Sequence, residues 1–103
     1  MTKPAPYLRL HREHPELAEA YERFASAAHE AGPLSERERR LVKLALALGA
    51  GSEGATHSHT RQALEAGIGA EDVRHVAFLA ATTLGFPAMM KALSWIGDVA
   101  DED

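Results

Sequence analysis

The feature that most constrains the fold is an apolar run, residues 41–48, that follows a helix-start signal. Ser35 and Glu38 have the spacing of a capping box, in which each side chain satisfies a backbone N–H near the other. In the run LVKLALAL, apolar residues cover most of the circumference of a helix. Such a helix needs cover on nearly every side. The pattern therefore predicts a central helix that begins at Ser35 and ends at Gly49 or Gly51.

The other periodic segments also predict helices, and no segment predicts a strand. A single apolar stripe, at steps of four, three and four residues, runs from Leu17 to Ala28. The predicted helices besides the central one start near Pro15, Glu53, Ala70 and Phe86, and the first three stop at Gly32, Gly67 and Gly85. The sequence therefore predicts an all-α fold of four to five main helices.

The two ends of the chain are predicted to lie outside these helices. Residues 1–13 are predicted to form an extended arm, because Pro4 and Pro6 each disfavour helix at the preceding residue. Residues 101–103 are all acidic and oppose the dipole at a helix C-terminus, so we expect a frayed tail.

The length of 103 residues suits a single domain, residues 1–103. A domain of this size buries only about two-thirds of its unfolded surface. Two of the predicted helices are apolar nearly all round, and other copies of the chain are the simplest cover for them. A homo-oligomer is therefore favoured, with a compact monomeric bundle as the alternative.

Composition excludes several classes of function. A net charge of −4, with no basic stripe carrying interleaved aromatic residues, argues against a nucleic-acid partner. No apolar run approaches 18 residues and the start of the sequence lacks the apolar segment of a signal peptide, so we expect a cytoplasmic protein without a membrane partner. The absence of cysteine excludes a disulfide, a thiolate zinc site and a thiol nucleophile.

Two histidines, His57 and His59, lie two residues apart in the segment GAGSEGATHSHTRQALEAG. At about 100° per residue they fall on different faces of a helix, whereas a helical metal pair needs a spacing of three or four. Glu53 and His57, together with His75 from another helix, are a candidate metal set. The favoured interpretation is a surface contact between Glu53 and His57, so no metal or cofactor is predicted.

Small residues share the helix face of His59. They are Ser52, Ala55, Thr56 and Ala63. A face of this kind fits close helix packing around a hydrogen-bonded interior histidine, or it fits a pocket. In a pocket, a neutral His59 is suited to act as an acid or a base near pH 7.

Several ordered pieces of the sequence resemble the carboxymuconolactone decarboxylase family, which includes the alkylhydroperoxidase D-like proteins. The pieces are RRLVKLALAL, His59 before TRQALEAG, EDV and LGFPA. The resemblance covers a family core of residues 34–93, and the lead-in HPELAEAYERFASAAHEAGPL is also family-like. It implies an all-α, alkylhydroperoxidase D-like fold that assembles into homotrimers or homohexamers, with sites near subunit contacts.

The peroxidase branch of that family carries C-x-x-C, a histidine four residues later and a glutamate on the preceding helix. By the resemblance, these positions are Ser52, Ala55, His59 and Arg40. Only the histidine matches, and without thiols the cysteine-dependent peroxidase and disulfide reactions are excluded. The decarboxylase branch shares the histidine but tends to carry glutamate and tyrosine where this chain has Ala55 and Thr83.

Two functions from different classes follow from these residues. The favoured one is a non-catalytic binding or scaffold oligomer, because Arg40 beside His59 would lower the pKa of His59 and disfavour a charged catalytic form. The alternative is a non-redox decarboxylase or isomerase. In that enzyme Arg40 would bind a small organic acid or lactone, and His59 and Ser52 would be catalytic. Glu36, four residues before Arg40, offers it a surface ion pair instead.

Overall fold

The computed structural model describes residues 3–101, which contain six α-helices, one 3₁₀ helix and no strand. The helices are α1 Ala5–Glu13, α2 Pro15–His29, α3 Glu36–Ala50, α4 Glu53–Glu65, α5 Ala70–Leu79 and α6 Phe86–Ala100, with the 3₁₀ helix at Ala80–Thr82. The predicted all-α class is confirmed. The chain divides into two compact units, one up to Pro33 and one from Leu34, where the predicted family core also begins. The single domain over residues 1–103 stays a prediction.

The extended arm predicted for residues 1–13 is wrong over residues 5–13, which form α1. Pro4 is the N-cap of this helix and Pro6 lies in its first turn, where a missing N–H costs nothing because that N–H has no partner within the helix. Arg9 and Glu13 add an ion pair of 2.9 Å at a spacing of four residues. Residues 1 and 2 of the predicted arm lie outside the described residues.

In the N-terminal unit, α1 and α2 pack against each other. The hydroxyl of Tyr7 on α1 donates a 3.0 Å hydrogen bond to Glu22 on α2. Burial and the Glu22 carboxylate raise the pKa of Tyr7. The predicted apolar stripe lies on α2, but its large members Leu17, Tyr21 and Phe24 are exposed in the single chain.

The predicted start of α3 is confirmed in atomic detail. The Glu38 N–H donates to Ser35 Oγ at 3.1 Å, and the Ser35 N–H donates to Glu38 Oε1 at 2.7 Å. Both N–H groups would otherwise lack a partner at the helix start. Gly51, not Gly49, ends the helix, because its φ of 67° is in the left-handed region that glycine adopts readily. Gly67 has a similar role after α4, with φ of 89°.

The core of the C-terminal unit lies among α3, α4, α5 and α6. Its buried members are Leu44, Leu48, Ala63, Ile68, Val73, Ala77, Ala92 and Ile96. The prediction that α3 is central is wrong for the single chain, since Val42 and Leu46 are exposed. Instead α6 packs on α4, α5 and the 3₁₀ helix, and α4 packs on α3 and α6.

The predicted fourth helix is interrupted before Gly85. The α-helix ends at Leu79, and the Ala80 carbonyl accepts N–H groups from Thr83, Leu84 and Gly85 in a tightened turn. Threonine hydroxyls compete with backbone N–H groups for helix carbonyls. The Thr83 hydroxyl lies 3.4 Å from the carbonyl oxygens of both Leu79 and Ala80.

Asp101, the first residue of the predicted frayed tail, caps α6 instead of fraying. Its N–H donates to Gly97 O at 3.0 Å, and its carboxylate pairs with Arg74 on α5. Residues 102 and 103 of that tail lie outside the described residues.

Candidate functional site

The site predicted from sequence lies where α3 packs on α4. Ser52 is the N-cap of α4, and its Oγ accepts the Ala55 N–H at 3.1 Å. The Ser52 carbonyl accepts both the N–H and the hydroxyl of Thr56, at 3.0 and 2.7 Å. The Ser52 side chain therefore has a definite structural task at the start of the helix that carries His59.

Replacing Ser52 with alanine is expected to lower the free energy of unfolding by about 1 kcal/mol, because the Ala55 N–H loses its acceptor. Urea unfolding followed by circular dichroism measures this change. Ser52→Asp is the matched control, since aspartate is also a good N-cap and should retain most of the stability. Equal losses in both variants would contradict the capping role.

His59 projects from the middle of α4 and is half-buried. Its Nδ1 is buried, and within residues 3–101 no atom forms a hydrogen bond with it. Burial lowers the pKa of His59, and the charges of Lys43 and Arg40 lower it further. The imidazole is therefore neutral at pH 7. The expectation of a hydrogen-bonded interior histidine is wrong at Nδ1.

Arg40 extends from α3 towards α4, and its side chain is only 23% exposed. Its Nε donates to Glu36 Oε1 at 2.7 Å, so the predicted ion pair within α3 is present. Its Nη1 donates to Gln62 Oε1 on α4, also at 2.7 Å. Gln62 in turn donates to Ser58 Oγ at 2.9 Å. Arg40 is thus both paired on its own helix and held beside the helix of His59.

Sequence reasoning missed two members of this polar cluster, Lys43 and Gln62. Lys43 lies three residues after Arg40 on α3, and Gln62 lies three residues after His59 on α4. Helical spacing of three places each on the same face as its partner. That spacing was the available signal. Burial and the neighbouring Arg40 charge lower the pKa of Lys43.

The other histidine of the segment, His57, contacts a different helix. Its Nε2 lies 2.9 Å from Asp98 Oδ2 on α6 and 3.9 Å from Glu53 Oε2 on α4. The prediction that His57 and His59 occupy different faces is confirmed. The candidate set with His75 is wrong in its third member, because Asp98 occupies that place and His75 is an exposed residue of α5.

Two open clefts lie on the N-terminal unit. One is lined by residues 13–17, and the other by Ala5, Pro6, Leu8, Arg9 and Arg12. Neither lining includes a predicted site residue. The chemistry-bearing groups between α3 and α4 are therefore the better candidate for function.

These observations define an all-helical protein with a polar site between α3 and α4. In that site the neutral imidazole of His59 lies near two cations of α3, Arg40 and Lys43. The model of the carboxymuconolactone decarboxylase family matches residues 15–98, well over half of the sequence. The chain belongs to the carboxymuconolactone decarboxylase family. No curated protein and no solved structure matches the sequence.

The family match extends beyond the predicted core of residues 34–93 at both ends, and it takes in α2 and most of α6. The chain contains no cysteine, so it lacks the C-x-x-C of the family's peroxidase branch. None of the described helices is long and apolar enough to cross a bilayer. The cellular location predicted from the sequence stays a prediction.

Proposed function

We propose that this protein is a non-redox member of its family that binds a small organic anion, of the carboxylate class, between α3 and α4. The absence of cysteine supports the first part, because thiol peroxidase and disulfide chemistry require a thiolate. The two cations beside His59 support the second part, since they favour a negatively charged ligand.

The observation that carries the proposal is the buried Nδ1 of His59, which has no partner in the described part of the chain. Buried polar atoms in proteins are nearly always hydrogen-bonded, so an orphan of this kind calls for a partner that the described residues do not supply, and a ligand atom would meet that need. Arg40 is suited to bind a carboxylate because its planar guanidinium carries five N–H donors. Its bonds to Glu36 and Gln62 use two of these donors and fix its position.

Nuclear magnetic resonance of the His59 imidazole tests this proposal, with acetate and succinate as the probes. We expect saturable shifts of the His59 ring resonances, and a dissociation constant raised about tenfold or more in Lys43→Gln and Arg40→Gln. That factor corresponds to a charge-assisted interaction of about 1.4 kcal/mol or more. Arg23→Gln is the matched control, because it removes the same charge from the exposed surface of α2.

Two results would overturn the proposal. One is an absence of His59 shifts at tens of millimolar probe. The other is an equal loss of affinity in the Arg23 control, which would reduce the effect to net charge alone. Arg40 also links α3 to α4, so Arg40→Gln could lose affinity because it misfolds. Lys43→Gln tests the charge without removing that link.

Binding is expected to strengthen as the pH falls. The lowered pKa of His59 keeps the imidazole neutral at pH 7, and an anion beside it favours the protonated form. Affinity should therefore rise as the pH decreases through the pKa of the complex, by at most tenfold per pH unit, and level off below the pKa of the free protein. Acetate titrations between pH 5.5 and 8 measure this, because acetate stays mostly ionised over that range. His59→Gln should abolish the dependence, and His75→Gln should retain it.

We also propose that the binding protein is a homotrimer or a homohexamer. Large apolar side chains are exposed in the single chain at Leu17, Tyr21, Phe24, Val42, Leu46, Phe78, Leu79, Leu84, Phe86 and Met90. Apolar exposure on this scale is unusual for a small soluble monomer and is typical of subunit interfaces.

Light scattering on a sizing column is expected to give a mass three or six times that of one chain. Leu46→Asp and Phe78→Asp each replace one of these exposed apolar side chains with a charge and should lower the mass. Ser94→Asp, on the exposed polar surface of α6, should not. The mass of a single chain at the highest concentration would contradict the oligomer, and unchanged mass in both apolar variants would place the interface elsewhere.

A second candidate function is a non-redox decarboxylase or isomerase that acts on a small organic acid or lactone. The observation that favours it is the neutral imidazole, which is available as a base at pH 7. Proton exchange into small 3-oxo acids and unsaturated lactones in D₂O tests it. Exchange that requires His59 would establish catalysis, and binding without exchange would support the non-catalytic function.

A further inference from the structure

Three potential metal ligands meet where α4 packs on α6, on the face of α4 that does not carry His59. They are the carboxylate of Glu53, the imidazole of His57 and the carboxylate of Asp98. One ligand atom from each lies within 4.8 Å of the others. Glu53 and His57 are one turn apart on α4, and Asp98 reaches them from the last turn of α6.

The distances among these atoms are close to those that a bound ion requires. His57 Nε2 lies 2.9 Å from Asp98 Oδ2 and 3.9 Å from Glu53 Oε2. Metal–ligand bonds of about 2.0–2.2 Å in a tetrahedral or octahedral shell separate neighbouring ligands by roughly 3.0–3.5 Å. Small rotations of exposed carboxylates suffice to reach that range. Two of the three side chains are more than half exposed, so they are free to make such rotations.

The donor set selects the kind of ion. Mg²⁺ and Ca²⁺ prefer shells made of oxygen, whereas an imidazole nitrogen favours first-row transition metals and zinc. Three protein ligands leave further coordination positions for water. The two carboxylates would balance the charge of a divalent ion.

We propose that Glu53, His57 and Asp98 form a binding site for a divalent ion of the zinc class. A hydrogen bond between His57 and Asp98 accounts for two of the three groups without a metal. The Glu53 carboxylate lies 3.9 Å from the same nitrogen, within reach of a weak ion pair but too far for a hydrogen bond of its own. The site shares no residue with the proposed anion site, so a test of metal binding is independent of the proposed function.

Calorimetric titration of the metal-free protein with Zn²⁺ tests the proposal. We expect one site per chain, a melting temperature that rises with Zn²⁺, and no competition from Mg²⁺ at equal concentration. The line-broadening ion Co²⁺ should broaden the ring resonances of His57 before those of the other histidines. Asp98→Asn and His57→Asn should each weaken Zn²⁺ binding about tenfold or more.

Glu53→Gln is the decisive variant, because Glu53 lies outside the hydrogen bond between His57 and Asp98 and its change should leave the fold intact. We expect about tenfold weaker binding for it as well. The matched controls are Glu65→Gln, an exposed glutamate at the end of α4, and His75→Asn, an exposed histidine of α5. Neither should change the affinity.

Three outcomes would overturn the proposal. The first is a dissociation constant for Zn²⁺ no lower than about 1 mM, on the order expected for a single surface histidine. The others are full affinity in Glu53→Gln and an equal loss of affinity in His75→Asn. Full affinity in Glu53→Gln would reduce the cluster to an ordinary ion pair. Loss of affinity with an unchanged melting curve of the metal-free variant would support the metal site.

Discussion

Replacing Leu44 with alanine is expected to lower the free energy of unfolding by about 2–5 kcal/mol. Leu44 is fully buried on α3, within the core cluster that joins α3 to the other helices of the C-terminal unit. The loss combines the transfer free energy of the deleted atoms with a penalty for the cavity that remains. A change of this size is a large fraction of the stability of a small domain.

Leu46→Ala is the matched control, because the same substitution falls two residues away on the same helix. Leu46 is 67% exposed in the single chain, so its change should cost less than about 0.5 kcal/mol in dilute solution. Urea unfolding of both variants at several protein concentrations makes the comparison. A cost for Leu46 that grows with protein concentration would support the proposed oligomer. An equal cost for the two at every concentration would contradict the packing of α3.

The same pair of residues shows how far the fold follows from the sequence. Capping chemistry is local, so Ser35 and Glu38 predict the start of α3 and the structure confirms it. The choice of buried face is not local. Since apolar residues surround α3, periodicity does not distinguish Leu44 from Leu46, and only packing against the other helices decides between them.

The N-terminal helix shows the opposite case, in which a local rule predicts too little helix. Pro4 and Pro6 disfavour helix at the preceding residues, but in a first turn this restriction is overcome. Helix α1 is held by contacts with α2, such as the hydrogen bond from Tyr7 to Glu22 across 15 residues. A contact of that range is not visible in the local pattern.

The candidate site divides in the same way. The small residues on its helix face single out His59, and the family resemblance adds Arg40. The structure places both where α3 meets α4. For Lys43 and Gln62 the sequence offers only one signal, a helical spacing of three residues from Arg40 and His59. Asp98, 41 residues from His57, was beyond the reach of sequence, because no periodic rule links separate helices.

Two buried threonines of α4 are expected to respond with opposite signs to the same substitution. Thr56 and Thr60 are both fully buried, and valine keeps the shape of threonine while it removes the hydroxyl. The hydroxyl of Thr56 donates a 2.7 Å hydrogen bond to the Ser52 carbonyl. The hydroxyl of Thr60 has no hydrogen-bond partner among residues 3–101.

Thr56→Val should lower the free energy of unfolding by about 0.5–1.5 kcal/mol, the net value of a typical hydrogen bond. The loss stays moderate because the Ser52 carbonyl keeps the Thr56 N–H as a donor, at 3.0 Å. Thr60→Val should raise the free energy of unfolding by about 1–2 kcal/mol, because a buried hydroxyl without a partner carries an uncompensated desolvation cost.

Urea unfolding at pH 7 measures both variants against the unmodified chain, and Thr82→Val, on an exposed position, controls for the general effect of valine. A destabilised Thr60→Val would mean that its hydroxyl is bonded in solution, to water or to a neighbouring copy. Since His59 is adjacent in sequence and also carries an unpartnered buried atom, that result would point to a hydrated or shared polar site along α4. A stabilised Thr60→Val would instead indicate that the Thr60 hydroxyl has no partner in solution, and it would exclude a shared polar site at that position.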